Sequence, residues 1–144
     1  MIEQDTIKLL RECDAGVKMG IDSIEDVIDY VGDEGLKDSL NKCKDKHEKL
    51  ATKIEYLLDK YHDDGKNPNP IAKGMSWMKT NMKLIMDESD ATIADLMTEG
   101  CNMGVKSLNE YLNQYEAADE QAKNITKDLI RIEDDLVKEI RQYL

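Results

Sequence analysis

His47 is the residue of this sequence with the most scope for chemistry, and Cys43 precedes it by one helical turn. A cysteine and a histidine four residues apart lie on the same face of a helix, where sulfur and nitrogen could bind a soft transition metal. Such an ion needs two further ligands, and Cys13 and Cys101 fall toward opposite ends of a bundle. The alternative is that Cys43 and His47 pack in an apolar seam, with the imidazole hydrogen-bonded.

Other catalytic patterns are missing from the sequence. It has no Ser-His-Asp order, no Gly-rich phosphate loop and no nucleophile elbow, and His62 is the only histidine besides His47. The three cysteines are widely spaced without a CxxC pair, which favours free thiols in a reducing compartment. We therefore predict a non-enzymatic protein without a cofactor.

Composition indicates an all-α protein. The 144 residues include 35% charged residues and only two prolines, which is typical of long helices in a single domain. The net charge of −11 would repel phosphate groups, so we expect no nucleic-acid or anionic membrane partner. The start of the sequence lacks the pattern of a secretory signal, and no apolar run reaches the length of a membrane span, which favours a cytoplasmic protein.

Apolar residues recur every three or four positions and predict the helices that must position these side chains. We expect helices over about 3–31, 34–61, 90–115 and 118–143, with Asp33 and Ser89 as N-caps. The second seam places Cys43 and His47 in the core between Leu40 and Leu50. A loop rich in glycine, asparagine and proline follows, and then a shorter helical pattern over 71–86, which together fit a long crossover.

An internal repeat relates the two halves of the chain. The run Cys13-Asp14-Ala15-Gly16-Val17-Lys18 returns 88 residues later as Cys101-Asn102-Met103-Gly104-Val105-Lys106, with four of six residues identical. Aligning the second and fourth helices pairs His47 with Glu133, although Ile132 competes with Glu133 for the core position. The chain therefore reads as one helical hairpin used twice.

Two repeated hairpins joined by a long crossover resemble the ferritin and rubrerythrin architecture. The run from Pro70 to Met78, followed by a polar turn and by Glu99 to Gly104, is similar to a bacterial family of ferritin-like proteins of unknown function. The resemblance covers essentially the whole chain and implies a ferritin-like four-helix bundle with an extra crossover helix.

Di-iron proteins of this shape hold the metals with one Glu on each of two helices and a Glu-x-x-His on each of the other two. The resemblance implies that these positions are occupied here by Val17, Val105, Lys44, His47, Ile130 and Glu133. All four carboxylate positions are lost. We expect that the di-metal centre is absent, because nothing would compensate the charge of the cations.

The surviving polar residues allow two interpretations. In one, the Lys44 ammonium and the Glu133 carboxylate form a vestigial cluster with His47, whereas in the other Lys44 extends to the surface. We predict a structural or protein-interaction domain, with self-association or a protein partner expected by analogy. The alternative is a metal-binding or redox protein with a rearranged site near Cys43, His47 and Glu133.

Overall fold

The computed structural model describes residues 2–68 and 89–144, and all regular secondary structure within these ranges is helical. The four helices are α1 (Ile2–Val27), α2 (Glu34–Lys60), α3 (Asp90–Gln114) and α4 (Glu120–Ile140). Short 3-10 turns follow α1 at Ile28–Tyr30 and α4 at Arg141–Tyr143. The all-α prediction is confirmed, whereas the predicted crossover helix over 71–86 lies outside the described residues.

Side-chain caps begin three of the helices. Each capping oxygen accepts a hydrogen bond from a backbone N–H in the first turn, which would otherwise lack a partner. The caps are Asp33 to Leu36 N at 3.1 Å, Ser89 to Thr92 N at 3.2 Å, and Asp119 to Ala122 N at 2.8 Å. The first two caps are those that the sequence predicts.

Hydrogen bonds between turns fix the directions of the helices. Asp90, at the start of α3, accepts from Gly32 N at 2.8 Å and Asp33 N at 2.9 Å, in the turn between α1 and α2. Thr6, near the start of α1, accepts from Asp119 N at 2.8 Å, in the turn before α4. Helices α2 and α3 therefore begin at the same end of the bundle and run parallel, and α1 and α4 run in the opposite direction.

The core consists of two apolar clusters, one toward each end of the bundle. The first cluster contains Leu9, Leu10, Cys13, Val17, Leu50, Ile54, Leu57, Leu58, Leu108, Ala118, Ala122, Ile125 and Leu129. The second contains Ile24, Val27, Leu36, Leu40, Cys43, Ile93, Met97, Cys101, Leu136 and Ile140. Between them, each helix contributes one residue to what we call the mid-bundle layer: Gly20, His47, Gly104 and Glu133.

The hairpins α1–α2 and α3–α4 make the most extensive helix contacts, and α4 also packs on α2 and α1. Within the described ranges, no helix is both long and apolar enough to cross a lipid bilayer.

Candidate functional site: the mid-bundle layer

His47 lies in the core with a fixed ring orientation. Its side chain is 2% exposed, and Nδ1 lies 2.8 Å from the backbone oxygen of Cys43, one turn earlier in α2. Because a carbonyl oxygen can only accept, Nδ1 carries a hydrogen and donates it. The same nitrogen lies 3.5 Å from Cys43 Sγ. The opposite ring nitrogen, Nε2, therefore faces the bundle interior.

Glu133 of α4 lies across the core from His47. Its Oε1 is 3.8 Å from His47 Nε2, and its side chain is 10% exposed. Glu133 is buried and Ile132 is half-buried, so the carboxylate occupies the core position for which the sequence left two candidates. His47 and Glu133, which the repeat alignment makes equivalent positions of the second and fourth helices, thus face each other across the core.

Two glycines leave room for these polar side chains. A Cβ on Gly20 would lie 2.6 Å from His47 Nε2, and a Cβ on Gly104 would meet the Glu133 carboxylate. Real Cβ contacts are essentially never this short, so any larger residue would displace the polar side chain. Helices α1 and α3 therefore contribute space to the mid-bundle layer, while α2 and α4 contribute the charged groups.

The environment makes both groups hold protons more tightly. Burial opposes the charged imidazolium, but the contacts with Cys43 and Glu133 outweigh it and raise the pKa of His47 to about 10. Burial raises the pKa of Glu133 as well, and the nearby imidazole partly offsets that effect. The raised pKa of His47 favours the imidazolium form, and the Glu133 side chain is the acidic group of α4 that faces this ring across the layer.

Each member of the pair keeps one polar atom without a hydrogen bond. His47 Nε2 and Glu133 Oε2 are buried and have no hydrogen-bond partner among the described residues. Across residues 2–68 and 89–144, no three His, Cys, Asp or Glu side chains are grouped so that they could hold a metal ion.

The other positions implied by the ferritin-like resemblance lie apart from this pair. Val17 is buried in the first apolar cluster, Val105 is half-buried, and Ile130 packs against the first cluster. The Lys44 ammonium pairs with Glu25 at 3.2 Å and with Glu48 at 3.9 Å. The interpretation that pairs Lys44 with Glu133 is therefore wrong, because Lys44 reaches two partly exposed carboxylates on the outside of the bundle and His47 supplies the charge facing Glu133.

Sequence reasoning missed three further polar contacts, which are made by the buried side chains of Cys13 and Asp14. Cys13 Sγ lies 3.1 Å from the Thr126 hydroxyl, and Asp14 Oδ2 accepts from Lys18 Nζ at 2.8 Å and from Lys66 N at 2.9 Å. The spacing of apolar residues does not predict the burial of Asp14, because the backbone group that Asp14 binds lies 52 residues away in the sequence.

Comparison with known proteins gives no significant match to a family model, to a curated protein or to a solved structure.

Proposed function

We propose that this chain is a ferritin-like four-helix bundle in which a buried histidine–glutamate pair replaces the di-metal centre, and that it serves as a non-enzymatic structural or protein-interaction domain in the cytoplasm. The observation that carries the proposal is the placement of His47 and Glu133 opposite each other, each in the space left by a glycine. Two of the three polar residues at the implied metal-ligand positions, His47 and Glu133, thus compensate each other's charge.

The surroundings of the pair support this proposal. A divalent cation entering between His47 and Glu133 would bring two positive charges next to an imidazolium, where one carboxylate is already committed. Val17 adds apolar surface on one side of the layer and offers no ligand atom. The parallel run of α2 and α3 also supports the proposed crossover, because α2 ends and α3 begins at opposite ends of the bundle.

Metal analysis tests the proposal. Protein purified without chelator and then loaded separately with iron, manganese and zinc should hold no stoichiometric metal at the layer. The chain is strongly acidic, so weak surface binding should occur equally in the wild type and in a His47→Leu variant. Binding of two ions per chain that is lost in the variant would overturn the proposal.

Self-association is part of the proposed structural role. Bundles of this kind present long helix faces that can pair, and sedimentation equilibrium over a range of concentrations measures such association. A monomer at all concentrations would restrict the role to binding a different protein.

The second candidate function is a metal-binding or redox protein centred on Cys43, His47 and Glu133. The contact of 3.5 Å between Cys43 Sγ and His47 Nδ1 favours its redox version. The two buried atoms of the pair that lack partners, His47 Nε2 and Glu133 Oε2, favour its metal-binding version. One tightly bound ion per chain, lost in both His47→Leu and Cys43→Ala, would support this candidate over the first.

A further inference from the structure

The three cysteines lie in different electrostatic surroundings. Cys13 is fully buried, and burial together with the carboxylates of Glu12 and Asp14 raises its pKa to about 12. Burial and the nearby Glu133 raise the pKa of Cys101 as well. Both thiols are therefore held in the protonated form, which is a weak nucleophile.

Cys43 is the cysteine whose sulfur contacts a nitrogen base. His47 Nδ1, which lies 3.5 Å from Cys43 Sγ, carries a hydrogen because it also donates to the Cys43 carbonyl at 2.8 Å. That N–H can stabilise a thiolate, and it does so most strongly when the ring is an imidazolium. Glu133 on the far side of the ring, 3.8 Å from Nε2, favours that charged form.

Cys43 also borders a small niche between α2 and α4. The niche holds about 10 Å³, roughly the volume that one water-sized molecule needs. Besides Cys43 and the apolar residues Ile132 and Leu136, it is lined by four charged residues, Lys42, Lys46, Asp135 and Glu139. All four belong to the half-buried or exposed residues of these two helices. Cys43 is 5% exposed, Cys101 6% and Cys13 0%, so Cys43 differs from Cys101 by the niche beside it and not by the exposure of its thiol.

We propose that Cys43 is an oxidisable thiol that reacts with small peroxides, with His47 as the positioning residue that stabilises its thiolate. The thiolate sulfur attacks one peroxide oxygen, an S–O bond forms while the O–O bond breaks, and the departing hydroxide takes up the proton that the thiol released. Sulfur loses two electrons and the peroxide gains them, so thiol and hydrogen peroxide become sulfenic acid and water. This inference rests on the redox version of the second candidate function and is independent of the proposed structural role.

The test is the rate of sulfenic acid formation at each cysteine. Folded full-length protein is treated with hydrogen peroxide in the presence of a dione that traps sulfenic acids, and each cysteine is quantified by mass spectrometry. We expect Cys43 to react at least about tenfold faster than Cys13 and Cys101, because the N–H of His47 lies beside its sulfur and stabilises the thiolate. A His47→Gln variant should lose most of this advantage, whereas His62→Gln, which changes the other histidine, should retain it.

Two results would overturn the inference. If all three cysteines react at the same rate, and urea well below the unfolding midpoint accelerates them together, the reaction proceeds through unfolding of the whole bundle. If Cys43 reacts faster but His47→Gln leaves its rate unchanged while the variant remains folded, His47 has no part in the reaction. Neither result bears on the structural role, which is judged by metal content and association.

Discussion

His47 Nε2 and Glu133 Oε1 lie 3.8 Å apart in the core, where they connect the two helical hairpins. An apolar cluster lies on each side of the pair, so the pair is placed where desolvation is costly. The pair differs from an exposed ion pair, because removal of either side chain leaves the other one buried without a partner.

This coupling predicts the outcome of a double-mutant cycle. His47→Leu or Glu133→Leu alone should lower the free energy of unfolding by about 3–5 kcal/mol, because each leaves an unpaired buried charge. The double variant should be more stable than either single one, since its leucines join the two apolar clusters. Urea unfolding of the four proteins measures the cycle, and single-variant losses that simply add would contradict the coupling.

Gly20→Ala should destabilise the bundle although alanine is the better helix former. The new Cβ would lie 2.6 Å from His47 Nε2, and displacing the ring should cost about 1–3 kcal/mol, more than the gain of about 1 kcal/mol in helix propensity. Gly100→Ala is the matched control, because a Cβ there has no neighbour within 4 Å. Thermal unfolding should show Gly100→Ala above the wild type and Gly20→Ala below it, and a stabilised Gly20→Ala would contradict the proposed role of the glycine.

Stability should fall as the pH rises above neutrality. The pKa of His47 is raised from 6.5 to about 10 on folding, so its stabilising contribution is complete below 6.5 and is lost as the pH approaches 10. The raised pKa of Glu133 acts with the same sign at lower pH. Between pH about 6.5 and 8.5, before the cysteines titrate, the wild type should lose more unfolding free energy than His47→Leu. Equal slopes in urea unfolding at these pH values would show that His47 is not charged in the fold.

Asp14 should hold the loop that follows α2 against α1. Its carboxylate binds Lys18 Nζ and Lys66 N, and Gly65, at φ +85°, passes close to it. Asp14→Ala should cost about 1–3 kcal/mol and leave Lys66 N–H without an acceptor. Hydrogen exchange should then accelerate over residues 63–68, whereas Asp29→Ala, at an exposed position, should leave it unchanged.

The sequence was most informative where periodicity alone decides burial. Every predicted seam residue of α2, from Leu36 to Leu57, is buried, because one continuous helix faces the core throughout. In α4 the pattern left Ile132 and Glu133 in competition, since apolarity favours Ile132 and only the space opposite Gly104 admits the carboxylate. The ion-pair partners of Lys44 could not be predicted from the sequence either, because a long flexible side chain can extend toward the mid-bundle layer or toward the surface.

The internal repeat also shows that a sequence pattern alone does not decide burial. Val17 and Val105 are equivalent in sequence, yet Val17 is buried and Val105 is half-buried. Burial depends on the neighbours that each copy meets, and these differ between the hairpins. Gly104 was visible in the repeat, but its function as the space for Glu133 depends on a contact between α3 and α4 that no local pattern records.

The protonation state of the His47 imidazole tests the central claim most directly. Nitrogen chemical shifts of the ring, measured by NMR at pH about 8, distinguish an imidazolium from a neutral imidazole, whose unperturbed pKa is about 6.5. We predict a doubly protonated His47 ring in the wild type and a lower pKa of the same ring in Glu133→Gln, because the contacts with Cys43 remain. A neutral His47 ring in the folded wild type at this pH would contradict the claim that His47 and Glu133 form a buried charge pair in the mid-bundle layer.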